Sequence, residues 1–586
     1  MIRILDLEVF LLIKLLRLMK GYRFPAISAP FFKILEALFE LMIPLVVKSI
    51  IDVGIANSDK PYIVKMVGLM VLLGLVGFSC TLCAQYFAAR AAVGFSANIR
   101  SALFGHAQTL SFTEIDRLGT STMLPRMTND VTQVQSGVNL TLRLFSRSPV
   151  IVFGSMIMAF TLDVKAALVF AVAIPLLCIV VFGIMLGSIP LYKKVQGALD
   201  KVLGIKRENL AGTRVIRAFA KEETEIENFE GATSALNVAQ KVAGKISALM
   251  NPITYLIVNI AIIALIQVGA MQVETGILTQ GAVIALYNYM SQILVELVKL
   301  ANLIITMTKA AASGGRIQQM LENGGKGHES STDTAKKDHH AVTFKNVSFA
   351  YAGASDESLS DLDFTVDKGE TIGIIGGTGS GKTSLVHLIP RFYDATKGEI
   401  RLDGMDIRAY SEDDLRKKVG VVMQKAVLFK GTIRENLLWG KPDATDEELW
   451  RAIDIAQARD IVEGKDGGLD HVIEQGGKNL SGGQRQRLGM ARTLVADPDI
   501  IIFDDSTSAL DYATDAKLRT AVREMEGDHT VFIVSQRAAS ITHADKIIVL
   551  DDGKIVGIGS HTRLLDTCEI YSEIYYSQFP KEEVEA

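Results

Sequence analysis

Apolar residues crowd into the first half of the chain, in six stretches near 27–55, 62–90, 137–161, 165–189, 248–272 and 277–305. A helix needs roughly 20 apolar residues to cross a bilayer, so each stretch predicts a membrane-spanning helix. Residues 166–186 are almost uninterrupted, whereas the first and last stretches carry charges. Buried helices of a soluble bundle fit poorly, because residues 151–160 and 168–185 lack a polar face. Beyond residue 340 the pattern changes. Short apolar runs such as 371–375 (TIGII) and 500–503 (IIIF) alternate with helix-forming segments such as 384–389, as in an α/β domain with buried parallel strands.

Between the two halves, residues 323–340 (NGGKGHESSTDTAKKDHH) hold almost no apolar side chain and read as a flexible linker. The chain therefore divides into an interfacial helix at 1–26, a transmembrane domain at 27–322, the linker at 323–340 and an α/β domain at 341–586. Residues 1–23 alternate apolar positions with Arg3, Lys14, Arg17, Lys20 and Arg23. Asp6, Glu8 and the lack of a small-residue cleavage site favour an amphipathic helix at the membrane surface over a cleaved signal peptide. The length of 586 residues exceeds what one core covers. A mean hydropathy of +0.28 alongside 22% charged residues agrees with apolar residues segregated into one region.

The long polar stretches after the second and fourth apolar segments carry Arg100, Arg117, Arg126, Lys193, Lys194, Lys206, Arg207, Arg214 and Arg217. The short connections at 57–59 and 163–165 are poorer in positive charge. By the positive-inside rule the basic loops are cytoplasmic, and six spans put both termini and the α/β domain on that side.

Residues 376–383 (GGTGSGKT) form a complete phosphate-binding loop after the run TIGII. Gly376, Gly377, Thr378, Gly379, Ser380 and Gly381 turn backbone N–H groups onto phosphates, with a following helix whose N-terminus favours anions. Lys382 reaches the terminal phosphates, and the Thr383 hydroxyl is offered to Mg²⁺. The run 500–503 delivers Asp504, a Mg²⁺-positioning carboxylate, at its C-terminal end, and residues 480–484 read LSGGQ.

These motifs together resemble the ATP-binding cassette (ABC) family, and the likeness covers nearly the whole chain. It implies an α-helical six-span transmembrane domain of exporter type joined to an α/β P-loop nucleotide-binding domain with a helical signature subdomain, using ATP and Mg²⁺. By the same resemblance, Tyr351 stacks on adenine, and Gln424 touches Mg²⁺ and faces the membrane domain. Ser481, Gly482, Gly483 and Gln484 hold the γ-phosphate of ATP on an opposite subunit, and residues 508–511 (SALD) cross between two cassettes. Residues 110–119, 126–131 and 208–219, with Phe229, resemble the family's coupling loops. Six spans and one cassette on one chain resemble the exporters that move drugs or flip lipids.

Two positions depart from the family pattern. Asp505 stands where the family places Glu, one methylene shorter, and its carboxylate falls about an ångström short of an attacking water. Gln536 stands where the family places His, and an amide cannot become a cation. Both at one site imply a pocket that binds ATP and hydrolyses it slowly. A homodimer would lack a competent site, so a heterodimer is expected, with a homologous half-transporter supplying Glu and His. Residues 474–477 (EQGG) also differ from the family's usual run, with no consequence readable from the sequence.

The expected location is the plasma (inner) membrane, and the expected cargo an exported amphipathic drug, lipid or peptide. Glu36, Glu40, Asn259, Gln267, Tyr287, Asn288, Gln292 and Glu296 are polar positions at depth and candidates for touching it. Glu296 has a plainer alternative, pairing with Lys299. A homodimeric exporter, and an ATP-gated channel or regulatory membrane protein, remain alternatives; a soluble cassette ATPase gives no reason for the apolar half. Cys80, Cys83, Cys178 and Cys568 make no disulfide framework. His339 and His340 lack partners at metal-ligand spacing. A net charge of −4 gives no hint of nucleic-acid binding.

Overall fold

The computed structural model describes residues 14–322 and 339–579. The chain divides into two compact units, one of Met1–Gln108 with Thr120–Asn323, the other of Thr109–Gly119 with Gly324–Ala586. The linker expected at 323–340 lies outside the described residues up to 338, and His340 already opens the first strand. Of the expected interfacial helix, residues 1–13 also lie outside them. Its C-terminal limit moves: Arg23 begins the first long helix, so residues 23–26 belong to that helix.

The first unit is all helix. Its long helices are Arg23–Ser49, Lys60–Gln108, Val131–Leu144, Arg147–Leu162, Val164–Ala211, Glu222–Ala248, Met250–Glu274 and Gln280–Glu322. Helices of 49 and 48 residues extend for about 70 Å, far beyond a ~30 Å hydrocarbon core, so they carry their polar ends out of it. Asp163 separates two of them: its extended backbone breaks the helix and its carboxylate accepts from Ala166 N at 2.7 Å, capping the next one. Leu72, Leu75, Phe78 and Leu82 on one helix, and Leu168, Val172 and Ile179 on another, point their apolar surface outward, as lipid-facing side chains do.

Among the described residues, five helical stretches are long and apolar enough to cross a membrane: Lys60–Gln108, Thr122–Leu162, Val164–Ala211, Glu222–Glu274 and Gln280–Glu322. The first predicted span does form a helix, Arg23–Ser49, continued by π-type turns at Ile50–Ile55. Lys33, Glu36, Glu40 and Lys48 set its composition apart from the other five.

Three of those charges, Lys33, Glu36 and Glu40, have partners. Arg147 opens its helix and points its guanidinium at three carboxylates: Nη2 lies 2.6 Å from Glu40, Nη1 is hydrogen-bonded to Glu296, and Nε is 3.6 Å from Glu36. Lys33 pairs with Glu36 at 2.5 Å, Lys299 with Glu296 at 2.8 Å, and Ser148 Oγ donates to Glu296 at 2.9 Å. Three cations and three anions sum to zero, so the network carries no net charge into the bundle. It ties Arg23–Ser49, Arg147–Leu162 and Gln280–Glu322 together beside a core of Leu41, Ile151, Phe170, Leu177, Leu286 and Tyr289. Tyr289 Oη adds a hydrogen bond to Leu41 O at 2.7 Å.

The second unit is α/β. Its strands are β1 (His340–Phe349), β2 (Leu359–Asp367), β3 (Thr371–Gly376), β4 (Lys397–Leu402), β5 (Met405–Asp406), β6 (Val419–Val422), β7 (Gly431–Thr432), β8 (Val472–Ile473), β9 (Ile500–Asp504), β10 (Thr530–Val534), β11 (Lys546–Asp551) and β12 (Lys554–Gly559). The main sheet runs β12-β11-β3-β10-β9-β6, parallel except for the β11–β12 edge pair. A second, antiparallel sheet runs β2-β1-β4-β5. Helices Ile433–Leu437, Asp446–Ile455 and Gly482–Leu494 form a helical subdomain around Ile433, Leu437, Leu449, Ile453 and Leu488.

This unit also includes the short helix Phe112–Leu118, capped by Ser111 and stopped by Gly119 at φ +67°. The Phe112 ring stacks on Phe392 with centroids 4.4 Å apart, and Tyr393 Oη donates to Asp116 at 2.6 Å.

Because Arg147 pairs with the buried Glu296 carboxylate, Arg147→Met is expected to destabilise the helical unit by about 3–5 kcal/mol. Arg147→Met with Glu296→Met is expected to unfold at a higher temperature than Arg147→Met alone. Thermal unfolding in lipid nanodiscs checks both; equal midpoints for the single and double variants would refute the role of the pairing.

Candidate functional site

β3, β10 and β9 end at the same edge of the main sheet. Ile374 is paired with Val534, and Val534 with Asp504, so the loop after β3, the turn after β10 and Asp505 after β9 converge. The burial of Ile500, Ile501, Ile502 and Phe503 explains why an uninterrupted apolar run precedes Asp504.

The loop 376–381 then turns tightly into the helix Lys382–Leu388. Gly381 adopts φ +93°, and a Cβ there would meet Leu359 Cδ2 at 2.6 Å and Ser358 O at 2.9 Å. Only glycine fits both the conformation and the space. Lys382 is buried and its Nζ donates to Gly376 O at 2.8 Å and Gly377 O at 2.6 Å, folding the side chain back over the loop. Burial holds its ammonium below the usual lysine range, against the opposing pull of Asp505 and Asp504.

Thr383 Oγ1 donates to Asp504 Oδ1 at 2.8 Å across the sheet edge. Hydroxyl and carboxylate oxygens, with the Gln424 amide nearby, are the hard donors that a magnesium ion takes. Asp505 lies beside them with φ +44° and is held by Asp505 N to Val534 O at 3.1 Å. Its Oδ2 accepts from two amides, Gln424 Nε2 at 3.0 Å and Gln536 Nε2 at 3.4 Å. Tyr351 Oη is 2.9 Å from Ser384 Oγ, and the ring meets Tyr393 edge-on with centroids 5.2 Å apart.

A cavity of about 360 Å³ gathers these groups: Tyr351, Thr378, Gly379, Gly381, Lys382, Thr383, Gln424, Asp505 and Gln536 all line it. Gly376, Ser380 and Asp504 are buried and do not line it, and Gly377 is exposed outside it. Ser358 and Val534 also line it and had no sequence signal, being loop and strand-end residues outside the motifs. Ser481, Gly482, Gly483 and Gln484 are not part of the cavity. They begin the helix Gly482–Leu494, where Ser481 and Gln484 form a reciprocal capping box and Gly482 presents open space.

Of the polar positions at membrane depth, Glu40, Asn288, Gln292 and Glu296 line one cavity of about 390 Å³ with Lys299. Glu36 is engaged in the ion network, and Asn259, Gln267 and Tyr287 do not line that cavity. Glu296 joins Arg147 as well as Lys299. Arg147 belongs to no motif, although a lone arginine heading an apolar helix needs a partner for its charge.

Residues 27–297 match the ABC transporter transmembrane region family, and residues 359–508 the ABC transporter family. An uncharacterised ABC transporter ATP-binding protein of Mycobacterium tuberculosis is 37% identical over 555 residues, 93% of this chain and 94% of that one. The ATP-dependent lipid A-core flippase of Escherichia coli is 28% identical over 555 residues, 93% of this chain and 94% of its own. In fold, a bacterial Atm1-family ABC exporter solved with ATP bound matches with a TM-score of 0.80 at 23% identity, covering 96% of this chain and 99% of that one. A helical membrane region and an α/β cassette on one polypeptide, with this motif set at one sheet edge, make the chain a half-transporter of the ABC exporter type, a member of the ABC transporter family.

Proposed function

We propose that this chain is one half of a heterodimeric exporter, that its own pocket holds ATP and Mg²⁺ but turns over slowly, and that its LSGGQ segment completes a competent pocket on the partner. The observation that carries this reading is the pair of amides on Asp505 Oδ2. A general base needs an oxygen free to meet the water it activates. Here Oδ2 is taken by Gln424 and Gln536, which leaves only Oδ1 to meet a water, on a side chain one methylene shorter than the family's Glu. An ångström of misplacement costs about 100-fold in a positioned reaction. Gln536 can donate a hydrogen bond to a γ-phosphate but cannot bring a positive charge.

In this reading the loop 376–381 and Lys382 bind the phosphates, Tyr351 stacks on adenine, and Thr383, Asp504 and Gln424 hold Mg²⁺, which neutralises phosphate charge when bound. Ser481, Gly482, Gly483 and Gln484 serve ATP on the partner, which is in keeping with their lying outside the cavity of their own chain. ATP binding favours the outward-facing state, hydrolysis on the partner resets it, and the slow pocket biases the equilibrium as a clamp. The helix Arg23–Ser49 makes the sixth crossing, with Lys33, Glu36 and Glu40 neutralised within the bundle. Both termini and the cassette then face the cytoplasm across the plasma membrane. The cargo is an amphipathic drug, lipid or peptide, a class supported by the lipid A-core flippase among the relatives.

Restoring both groups tests the slow pocket. Asp505→Glu with Gln536→His is expected to raise hydrolysis at this pocket by about 100-fold. Turnover in the assembled dimer is measured with the partner's own site inactivated; unchanged turnover would contradict the reading. Tyr351→Ala is expected to weaken ATP binding by about 1–3 kcal/mol and Tyr351→Phe to leave it nearly unchanged, as fluorescent-nucleotide titration would read.

A further inference from the structure

His387 interrupts the apolar run of residues 385–389 on the helix that follows the phosphate loop, five residues beyond Lys382. Its side chain is largely buried, 13% exposed, and Nε2 lies 3.3 Å from Asp504 Oδ2, the oxygen that Thr383 does not use. That nitrogen is buried without an aligned hydrogen bond. A polar atom desolvated at that cost, 3.3 Å from one carboxylate oxygen, needs an explanation.

The other side of the ring gives one. Phe392 N donates to His387 O at 3.0 Å, and the rings of the two residues meet edge-on with centroids 5.4 Å apart. Phe392 is the residue on which Phe112 of the helix Phe112–Leu118 is stacked. Tyr393, which holds Asp116 of that helix, lies parallel to the His387 ring at 6.4 Å. A continuous line of contacts thus runs from Phe112 through Phe392 to His387 and Asp504. Burial pushes the Tyr393 phenol well above the usual tyrosine range, with its hydrogen bond to Asp116 adding to the shift, so Tyr393 stays a donor to that carboxylate.

We infer that His387 is a positioning residue for the Asp504 carboxylate, and that it ties the affinity of the pocket for Mg²⁺ to the seating of the helix Phe112–Leu118 on the cassette. Outer partners of metal-ligating groups fix their orientation, and losing one costs about 10–100-fold in metal affinity. The inference rests on the assignment of Asp504 to Mg²⁺ made above. It adds a route by which the loop that carries Phe112 acts on that ion without touching nucleotide. A double-mutant cycle measures that coupling.

The full chain in lipid nanodiscs is titrated with a fluorescent ATP analogue, first in EDTA and then over a range of free Mg²⁺. His387→Leu is expected to raise the Mg²⁺ midpoint about tenfold and leave Mg²⁺-free binding within about twofold, while His387→Gln, which keeps a polar nitrogen, restores most of it. Phe112→Ala is expected to raise the midpoint about threefold in the wild-type background and to add nothing to His387→Leu. An unshifted midpoint in His387→Leu, or shifts that multiply in the double variant, would overturn the inference. If His387→Leu also loses Mg²⁺-free binding, Phe112→Ala decides, and an unshifted midpoint there overturns the inference. Nucleotide binding by the wild type that ignores Mg²⁺ would remove the assignment of Asp504 itself, and this inference with it.

Discussion

Everything at the cassette's working edge depends on the parallel register of three strands. β10 lies between β3 and β9, and the pairing of Ile374 with Val534 and of Val534 with Asp504 sets where each strand ends. The phosphate loop, Asp504 with Asp505, and Gln536 come from segments far apart in the chain, yet they leave the sheet side by side. Ligand sites in such sheets form outside the carboxyl ends of the strands for this reason. Slipping β9 by one residue would turn Asp504 to the other face and separate it from Thr383.

The same edge brings the two departures from the family pattern side by side. Gln536 reaches Asp505 only because β10 and β9 are neighbours, and Gln424 reaches it from beyond β6, the next strand out. A short acid and a neutral amide are therefore parts of one arrangement, in which the carboxylate is held by side-chain N–H groups. The helical unit meets a parallel constraint with different chemistry. Its buried charges are stable there because Arg147 draws carboxylates from two other helices around itself and the total charge is zero.

The local features were legible in the sequence and the non-local ones were not. GGTGSGKT, LSGGQ and the apolar run before Asp504 state their roles within a few residues, and the long apolar stretches state theirs by length. Residues 110–119 were marked by their resemblance to a coupling loop, and Phe112–Leu118 within them is helical. The attachment of that helix was not legible, since Phe392 and Tyr393 give no local sign of what stacks on them. Arg147 and His387 look like isolated polar residues in apolar surroundings, and their partners are set by packing between distant segments. The first helix shows the limit of composition: its charges weaken it as a span until their partners on other helices are known.

The central claim is that Asp505 and Gln536 make this chain's own pocket a binding site with little turnover. Steady-state ATP hydrolysis by the chain purified alone in lipid nanodiscs, measured beside nucleotide binding on the same sample, tests it most directly. The account predicts ATP binding with almost no hydrolysis. Brisk turnover by the chain alone would contradict it, because Asp505 and Gln536 would then suffice and no partner would be needed to supply Glu and His.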